Sequence, residues 1–215
     1  MSFDKTELLL YAVTDRQWLD GHPLSHAAEQ ALLGGASLVQ LREKDLPYDD
    51  FLREADEIKS LCTRFGVPFI INDSVELALA CNADGVHVGQ SDMAAQNVRA
   101  MLGADKILGV SAQTVEQAIA AQAAGADYLG VGAVFTTSTK PDADFVPFSR
   151  LKEICSAVSI PVVAIGGINA HNILELKGSG ICGVALVSSI FAEKDIKSAT
   201  ENMRRLAERM LKSED

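Results

Sequence analysis

The stretch SLVQLREKD, residues 37–45, starts as an apolar strand and ends in a cluster of charges. Because side chains alternate along a strand, Gln40, Arg42 and Lys44 point to one face, and Leu41 and Glu43 point to the other. Two cations therefore share one face at the C-terminal end of a strand whose beginning is apolar. This pattern predicts either a solvated strand end or a site for an anion, and the surrounding fold decides between them.

Segments of the same kind recur along the chain and are separated by helical patterns. In one helix, apolar residues from Phe51 to Phe65 recur at steps of three and four, and Gly66 follows as a stop. Thr114 and Gln117 fit a capping box that opens another helix, which we expect to end at Gly125. Strands with nearly continuous apolar residues indicate a parallel sheet covered on both faces. The strand candidates are LLLYAVTD, SLVQLREK, PFIIND, GVHVGQ, KILGVSA, YLGVGAVF, PVVAIGG and GVALVSSI.

The segments that lead into the even-numbered strands resemble one another: GGASLV, CNADGV, AGADYL and GSGICGV. Each puts small residues between a helix and a strand, which indicates a repeated pair of strand–helix units. Eight units in 215 residues, with no linker-like segment, predict one (β/α)8 TIM barrel that spans residues 1–215 as a single domain. The alternative is an open doubly wound sheet, but neither GxGxxG nor GxxxxGKS/T follows the first strand.

The composition limits the classes of partner. A formal net charge of -10 argues against a general nucleic-acid or anionic-membrane surface. No apolar run is long enough to span a bilayer, and the N-terminus lacks the pattern of a signal peptide. The four cysteines form no CxxC pair, so we expect reduced thiols and a cytoplasmic protein. The sequence leaves open whether the protein is a homo-oligomer.

In a TIM barrel the active site lies at the C-terminal ends of the strands, so the residues there can be examined for chemistry. Polar groups follow the strands from distant parts of the sequence, which solvated loops explain less well than one shared site. Asp73 and Asp92 could instead cap the next helix, and His87 is expected inside the barrel without a ligand role. The strand-end candidates are Gln40, Arg42, Lys44, Asn72, Asp73, Asp92, Ser111, Thr136, Thr137, Ser138, Thr139, Lys140, Gly166, Gly167, Ser188 and Ser189.

These residue types predict two anion sites and a metal. Arg42, Lys44 and Lys140 can neutralise a multiply charged phosphate group, whereas Asp73 and Asp92 are oxygen donors suited to Mg²⁺. The loops after strands seven and eight can hold a second phosphate through backbone N–H groups. No Ser/His/Asp or Cys/His set and no pair of catalytic glutamates is found at the strand ends. Catalysis by positioning and electrostatic stabilisation of a leaving diphosphate is therefore expected.

From Tyr11 to Ile190 the sequence resembles the thiamine-phosphate synthase family, whose members are TIM-barrel transferases. The resemblance rests on VTD, LVQLREK, IIND, GVHVGQSD, GVSAQT, GVGAVFTTSTK, VVAIGGI and GVALVSSI, which occur in the family's order. It implies that 4-amino-5-hydroxymethyl-2-methylpyrimidine diphosphate is joined to hydroxyethylthiazole phosphate, which gives thiamine phosphate and pyrophosphate. Whether the thiazole substrate carries a carboxylate is left open.

The resemblance also implies residue roles. Asp73 and Asp92 would ligate Mg²⁺, and Arg42, Lys44, Ser111 and Lys140 would be catalytic. The pyrimidine diphosphate would be held by Gln40, Leu41, Arg42, Glu43, Lys44, Asn72, Ser111 and Lys140. The thiazole phosphate would be held by Thr137, Ser138, Thr139, Gly167, Val187 and Ser188.

Two positions depart from the family pattern, and two alternatives stay open. Gln113 stands where a histidine is often found, and Thr136 stands where a proline is common. The first alternative is a thiazole tautomerase, which uses a histidine near the end of strand six; Ala133 occupies that place here. The second is a barrel that binds thiamine precursors without catalysis. Release of pyrophosphate from both substrates with Mg²⁺ distinguishes all three.

Overall fold

The computed structural model describes residues 3–19, 21–90, 94–137, 139 and 144–212, and its centre is a closed parallel barrel of eight strands. Each strand pairs with its neighbours in chain order, and β1 also pairs with β8, which closes the cylinder. The predicted TIM barrel is thus confirmed, and the open sheet is excluded. The strands are β1 Leu10–Val13, β2 Leu38–Leu41, β3 Phe69–Asn72, β4 Gly85–Val88, β5 Ile107–Ala112, β6 Tyr128–Val131, β7 Val162–Ile165 and β8 Gly183–Leu186.

Helices cover the outside of the barrel. They are α1 Leu24–Leu33, α2 Tyr48–Phe65, α3 Val75–Ala80, α4 Ala95–Leu102, α5 Val115–Ala123, α6 Phe148–Ala157, α7 Ser188–Phe191 and α8 Ile196–Leu211, with short 3₁₀ helices at Lys5–Leu8, Arg16–Trp18 and Ile173–Leu176. The predicted stop at Gly66 is confirmed, because this residue ends α2 in the left-handed conformation. Half of the predicted capping box is found, since Thr114 Oγ1 accepts from Gln117 N, whereas the Gln117 side chain accepts from Gln113 N, one residue before the N-cap. No helix of the described ranges combines the length and the apolar character needed to cross a bilayer.

One connection differs from the predicted strand–helix alternation. Between β7 and β8 the chain forms only the 3₁₀ helix Ile173–Leu176, and two α-helices follow β8 instead. Gly178 and Gly180 both have positive φ, at 76° and 95°, so the backbone turns back towards the barrel after a single helical turn.

Alternation along the strands divides the core into two layers. Val39 and Leu41 are fully buried between the sheet and the helices, together with most of the apolar residues. Leu38 and Gln40 point into the barrel, and Gln40 is only 4% exposed. The interior layer closes the N-terminal end of the cylinder, so space for a ligand remains only at the C-terminal end. Its apolar members are Leu8, Tyr11, Val13, Leu38, Ile70, Tyr128, Val163 and Ala185.

The similar segments before the even-numbered strands form a repeated corner at the N-terminal end of the barrel. The residue before or at each strand start donates its N–H to the carbonyl of the preceding odd strand: Ser37 to Leu10, Asp84 to Phe69, Asp127 to Leu108 and Cys182 to Val162. At three corners the side chain also accepts from that strand's N–H. Two residues earlier, each corner has positive φ, at Gly35, Asn82, Gly125 and Gly180.

The corners are expected to contribute to stability through these side-chain acceptors. Asp127 Oδ2 accepts from Leu108 N at 2.7 Å and pairs with Arg99 at 2.5 Å. Asp127→Ala leaves the strand N–H without an acceptor, and we expect a loss of about 1–3 kcal/mol in the free energy of unfolding. Urea denaturation followed by circular dichroism measures it. Asp56→Ala, at an exposed position of α2, is the matched control. An equal effect of both substitutions would contradict the assignment.

Candidate active site

A cavity of about 490 Å³ opens at the C-terminal end of the barrel and receives residues from every strand or the loop after it. Its wall includes most of the strand-end candidates of the sequence analysis, so residues from distant segments are brought together. A depression of the same volume on the outside of α2 is open and formed by a single helix, which makes it a poor candidate. Gln40, Arg42, Asn72, Ser111 and Gly167 all line the barrel cavity.

One side of the cavity is cationic. Arg42 and Lys44 line it, as the alternation along residues 37–45 predicts. The Arg42 backbone is held by a hydrogen bond from its N–H to Thr14 Oγ1 at 3.1 Å. Its guanidinium lies 3.8 Å from Asp15, which is a loose ion pair, and its side chain is 19% exposed. Asp15 therefore orients the guanidinium without forming a tight ion pair with it.

The alternate residues of this stretch face away from the cavity. Leu41 is fully buried in the outer core. The Glu43 carboxylate pairs with Arg16, which in turn bonds Glu54 at 2.7 Å. Leu41 and Glu43 could contact a ligand only through the backbone, since the Leu41 side chain is in the core and the Glu43 carboxylate pairs with Arg16. The ion pair between Arg16 and Glu43 holds the loop after β1 against the end of β2.

Asn72 ends β3 and Asp73 follows it, and both line the cavity. Asp73 has a φ of 62°, a conformation that few residues other than glycine adopt and that asparagine and aspartate tolerate best. Its N–H donates to His87 O at 2.8 Å, which anchors it to β4. Asp92, its predicted partner in metal binding, lies outside the described residues. Within the described ranges, no group of three or more His, Cys, Asp and Glu side chains could hold a metal ion.

The opposite side of the cavity is formed by the backbone after β7 and β8. Gly167, Val187 and Ser188 line it together with Ser189. In the part of the chain that the structure describes, the N–H groups of Gly167, Ser188 and Ser189 donate to no protein acceptor. Asn172 Nδ2 bonds the Gly167 carbonyl at 2.9 Å. Donors without a protein acceptor in a cavity wall are suited to bind an anion.

Gly167 also has a packing role that the sequence did not indicate. Its φ is 68°, and a Cβ atom at this position would lie 2.4 Å from the Thr136 carbonyl oxygen. Phe135 N donates to Gly166 O, so the loops after β6 and β7 are joined directly. A side chain at residue 167 would separate these loops before it reached a ligand. Of the β6 loop candidates, Thr137 and Thr139 line the cavity, whereas Ser138 and Lys140 lie outside the described residues.

A chain of hydrogen bonds forms the floor of the cavity. Gln40 Nε2 donates to Tyr11 Oη, which is 2.8 Å from Tyr128 Oη. Tyr128 Oη is 2.9 Å from His87 Nδ1, and His87 Nε2 is 2.9 Å from Ser111 Oγ. Burial raises the pKa of Tyr11 and that of Tyr128, so both phenols stay protonated. The chain connects two predicted pyrimidine-binding residues, Gln40 and Ser111.

Neither Tyr11 nor Tyr128 is predicted for the site from the sequence, and His87 is expected to have no ligand role. His87 does lie inside the barrel as expected, but it also lines the cavity. The alternation of side chains along the strands could have indicated them, because Tyr11 and Tyr128 each occupy an inward-facing position of an apolar strand. A buried tyrosine hydroxyl needs a hydrogen-bond partner, and the hydroxyls of Tyr11 and Tyr128 bond to each other.

Of the two departures from the family pattern, one lies in the cavity wall. Gln113 lines it, on the loop after β5, while Thr136 is exposed. Ala133 lines the cavity after β6, where a thiazole tautomerase would need a histidine. His87 is the one histidine among the residues that line the cavity in the described part of the chain.

Comparison with known proteins agrees with this geometry. The family model described as thiamine monophosphate synthase matches residues 10–190. A thiamine-phosphate synthase of Ruminiclostridium cellulolyticum is 54% identical over 93% of this chain and 95% of its own length. One from Methanobrevibacter smithii is 50% identical over 92% and 94%. A thiamine phosphate pyrophosphorylase structure from Pyrococcus furiosus superposes with a TM-score of 0.90, at 36% identity, over 97% of this chain and 99% of its own. The chain belongs to the thiamine monophosphate synthase family.

Proposed function

We propose that this protein is a thiamine-phosphate synthase, a transferase that joins 4-amino-5-hydroxymethyl-2-methylpyrimidine diphosphate to hydroxyethylthiazole phosphate. The observation that supports the proposal is a cavity, in a chain of this family, with a cationic side and a separate side of backbone donors. Arg42 and Lys44 line one side, and backbone donors after β7 and β8 line the other. In the reaction, the C–O bond at the pyrimidine methylene breaks and pyrophosphate leaves with both electrons. The thiazole nitrogen lone pair then forms the new C–N bond.

The cationic side would hold the diphosphate. A guanidinium can donate two parallel hydrogen bonds to phosphate oxygens and keeps its charge at neutral pH. As the C–O bond breaks, negative charge grows on the leaving group, so donors placed there stabilise the transition state more than the ground state. Asn72 would add a neutral donor beside Arg42 and Lys44, and Lys140 is proposed for the same group from the loop after β6.

The backbone side would hold the thiazole phosphate. Gly167, Ser188 and Ser189 offer N–H groups that no described protein atom accepts, and the Ser188 hydroxyl can add a side-chain donor. Thr137 and Thr139 line the same cavity from the β6 loop, with Thr139 N donating to Thr137 Oγ1 at 3.2 Å. Ser138 and Val187 are proposed for this group with them. Holding the thiazole opposite the diphosphate would align its nitrogen with the methylene carbon, which lowers the entropic cost of bringing the two reactants together.

Mg²⁺ is the cofactor we propose, with Asp73 and Asp92 as its carboxylates. The residues present fit: Asp73 lines the cavity beside the cationic wall, and Mg²⁺ typically takes one or two carboxylates, waters and substrate phosphate oxygens. When bound, the ion would neutralise charge on the diphosphate. Asp73 would help to hold that ion, and the hydrogen bond from its N–H to His87 O fixes its backbone at the mouth of the cavity.

Ala133 in the cavity wall disfavours the tautomerase, which requires a histidine there. A barrel that only binds is disfavoured because the carboxylates proposed for Mg²⁺ and the lysines proposed for phosphate are all present in the sequence. We propose small phosphorylated substrates as the partners and the cytoplasm as the location, supported by four cysteines that are all free thiols.

The proposed function is tested by incubating purified protein with both phosphorylated precursors and Mg²⁺. Thiamine phosphate detected by mass spectrometry, with equimolar pyrophosphate, supports it. Omission of either precursor should abolish both products. Isomerisation of the thiazole phosphate alone would favour the tautomerase, and binding without any product would favour the non-catalytic barrel.

Arg42 is predicted to act in catalysis and not only in binding. Arg42→Ala should lower kcat by about 10²–10³, the scale for loss of one preorganised donor, and raise the KM for the pyrimidine diphosphate. Arg42→Lys should recover only part, because the planar fork is gone. Steady-state kinetics measures both. Arg53→Ala, on the exposed face of α2, is the control. Normal turnover by Arg42→Ala at an unchanged melting temperature would mean that Arg42 is a solvated strand end.

Asp73 is predicted to be required for metal-dependent turnover. Asp73→Asn keeps the size of the side chain and its tolerance of positive φ, and it removes only the charge. We expect most turnover to be lost without a change in melting temperature, whereas Asp56→Asn should behave as wild type. Chelator should abolish wild-type activity, and added Mg²⁺ should restore it. Wild-type rates in Asp73→Asn would refute the metal assignment.

The separation of the two anion sites is tested at neighbouring serines. The Ser188 hydroxyl has no protein partner among the described residues, whereas Ser189 Oγ donates to Ile168 O. Ser188→Ala should raise the KM for the thiazole phosphate about tenfold, the value of one hydrogen bond to a charged group, and leave the KM for the pyrimidine diphosphate unchanged. Ser189→Ala is the control. Equal rises for both substrates in Ser188→Ala would show that the sites are not separate.

A further inference from the structure

Arg42 lies between two spaces at the C-terminal end of the barrel. It lines the cavity, and it also lines a recess of about 360 Å³ between the loops after β1 and β2. Asp15 lines the recess but is not part of the cavity wall. The Asp15 carboxylate and a ligand in the cavity would therefore approach the Arg42 guanidinium from different sides. The proposed reaction gives Asp15 no task.

The position of Asp15 is fixed by contacts that involve no ligand. Its Oδ1 accepts from Gln17 N at 2.9 Å and caps the short 3₁₀ helix after β1, so Oδ2 is the oxygen that faces Arg42. The same loop is held against the end of β2 by the ion pair between Arg16 and Glu43. Asp15 is consequently a stationary negative charge on a firmly held loop.

The Arg42 guanidinium is held less firmly than the carboxylate that faces it. Its Nη1 lies 3.8 Å from Asp15 Oδ2, which is too long for a hydrogen bond, and no closer acceptor for it is found in the part of the chain that the structure describes. The two side chains are 19% and 16% exposed, so salt screens their attraction less than it would at an open surface. An end-on fork to a phosphate uses both terminal nitrogens, and Nη1 is the one that faces Asp15. To donate that fork into the cavity, the guanidinium has to turn away from Asp15.

We propose that Asp15 is a positioning residue that competes with the diphosphate for Arg42 and so limits the affinity for the pyrophosphate product. Without a ligand, Asp15 holds the guanidinium at the edge of the cavity. A bound diphosphate draws the guanidinium away from Asp15, and the carboxylate attracts it back as pyrophosphate leaves. The inference rests on the proposed function for the identity of the anion. It gives the loop after β1 a role in product release.

Calorimetry with inorganic pyrophosphate tests the competition. Asp15→Asn keeps the size of the side chain and the oxygen that caps the helix, and it removes only the charge. We expect the Kd for pyrophosphate to fall about tenfold, somewhat more than an exposed ion pair would give, because both side chains are mostly buried. Damage to the loop would weaken binding, so a gain in affinity separates lost competition from a structural effect. Mg²⁺ is kept in the same excess in every titration.

Asp4→Asn is the matched control. Asp4 also caps a 3₁₀ helix, Lys5–Leu8, and it also accepts from the N–H two residues later, that of Thr6, at 2.9 Å. It precedes β1, at the N-terminal end of the barrel, and it is far from Arg42 along the fold. Asp4→Asn changes the net charge by the same amount and should leave the Kd for pyrophosphate unchanged. Equal gains in both variants would show that only net charge matters, which contradicts the inference.

Dependence on Arg42 is tested by making Asp15→Asn in an Arg42→Ala background. If Asp15 acts by competing for the guanidinium, the gain in pyrophosphate affinity should shrink there to within about twofold, the usual error of additivity. A gain of full size without Arg42 would mean that Asp15 repels the anion directly, and competition would be refuted. An unchanged or larger Kd in Asp15→Asn alone would refute it as well.

Failure of the proposed function is distinguishable from failure of this inference. If wild-type protein forms no thiamine phosphate, the function is wrong, while the pyrophosphate titrations still measure the effect of Asp15. If neither wild-type protein nor Asp15→Asn binds pyrophosphate, the inference is wrong. In the synthase reaction, pyrophosphate should inhibit Asp15→Asn at about one tenth of the concentration that inhibits wild type, with the KM for the thiazole phosphate unchanged. Equal inhibition of the two proteins would overturn the inference.

Discussion

The interior of an eight-stranded barrel holds side chains and leaves no channel, and this limit determines where the protein can bind anything. Tyr128 enters that space beside Gly109, where a side chain would overlap its ring. With Leu38 and Ile70 it closes the N-terminal half. The C-terminal half is lined by shorter or polar groups, and the cavity begins where the packing ends. The position of the site is therefore a consequence of how the core is filled.

The electrostatic character of the cavity is local. The chain carries a formal net charge of -10, yet Arg42 and Lys44 face the cavity from one strand end. Acidic partners are kept away from them: Glu43 points to the opposite face and pairs with Arg16, and Asp15 stays 3.8 Å from the Arg42 guanidinium. Screening over about 8 Å at physiological salt leaves such a cluster largely independent of the distant surface. Strand alternation thus separates the charges that bind an anion from those that hold the loops.

Much of the fold could be predicted because its signals are local. Eight apolar runs and four similar corners specify a barrel, and the parity of residues 37–45 correctly separates Arg42 from Glu43. The hydrogen-bond chain could not be predicted, because Tyr11, Tyr128 and His87 come from strands that meet only when the barrel closes. The role of Gly167 against Thr136 was missed for the same reason, since it depends on contact between two loops. The single 3₁₀ turn after β7 was missed because the apolar spacing of Ile173–Leu176 does not reveal the length of the element.

The four corners lie at the opposite end of the barrel from the cavity, and this separation has an evolutionary consequence. Ser37, Asp84, Asp127 and Cys182 hold equivalent places, although serine, aspartate and cysteine differ in charge and polarity. All four corners make the same backbone hydrogen bond with different side chains, so the bond does not require one particular residue type. Residues after the strands can diversify for new substrates without disturbing this frame. The barrel is modular in that sense: the corners at its N-terminal end can be kept while the residues around the cavity at its C-terminal end change.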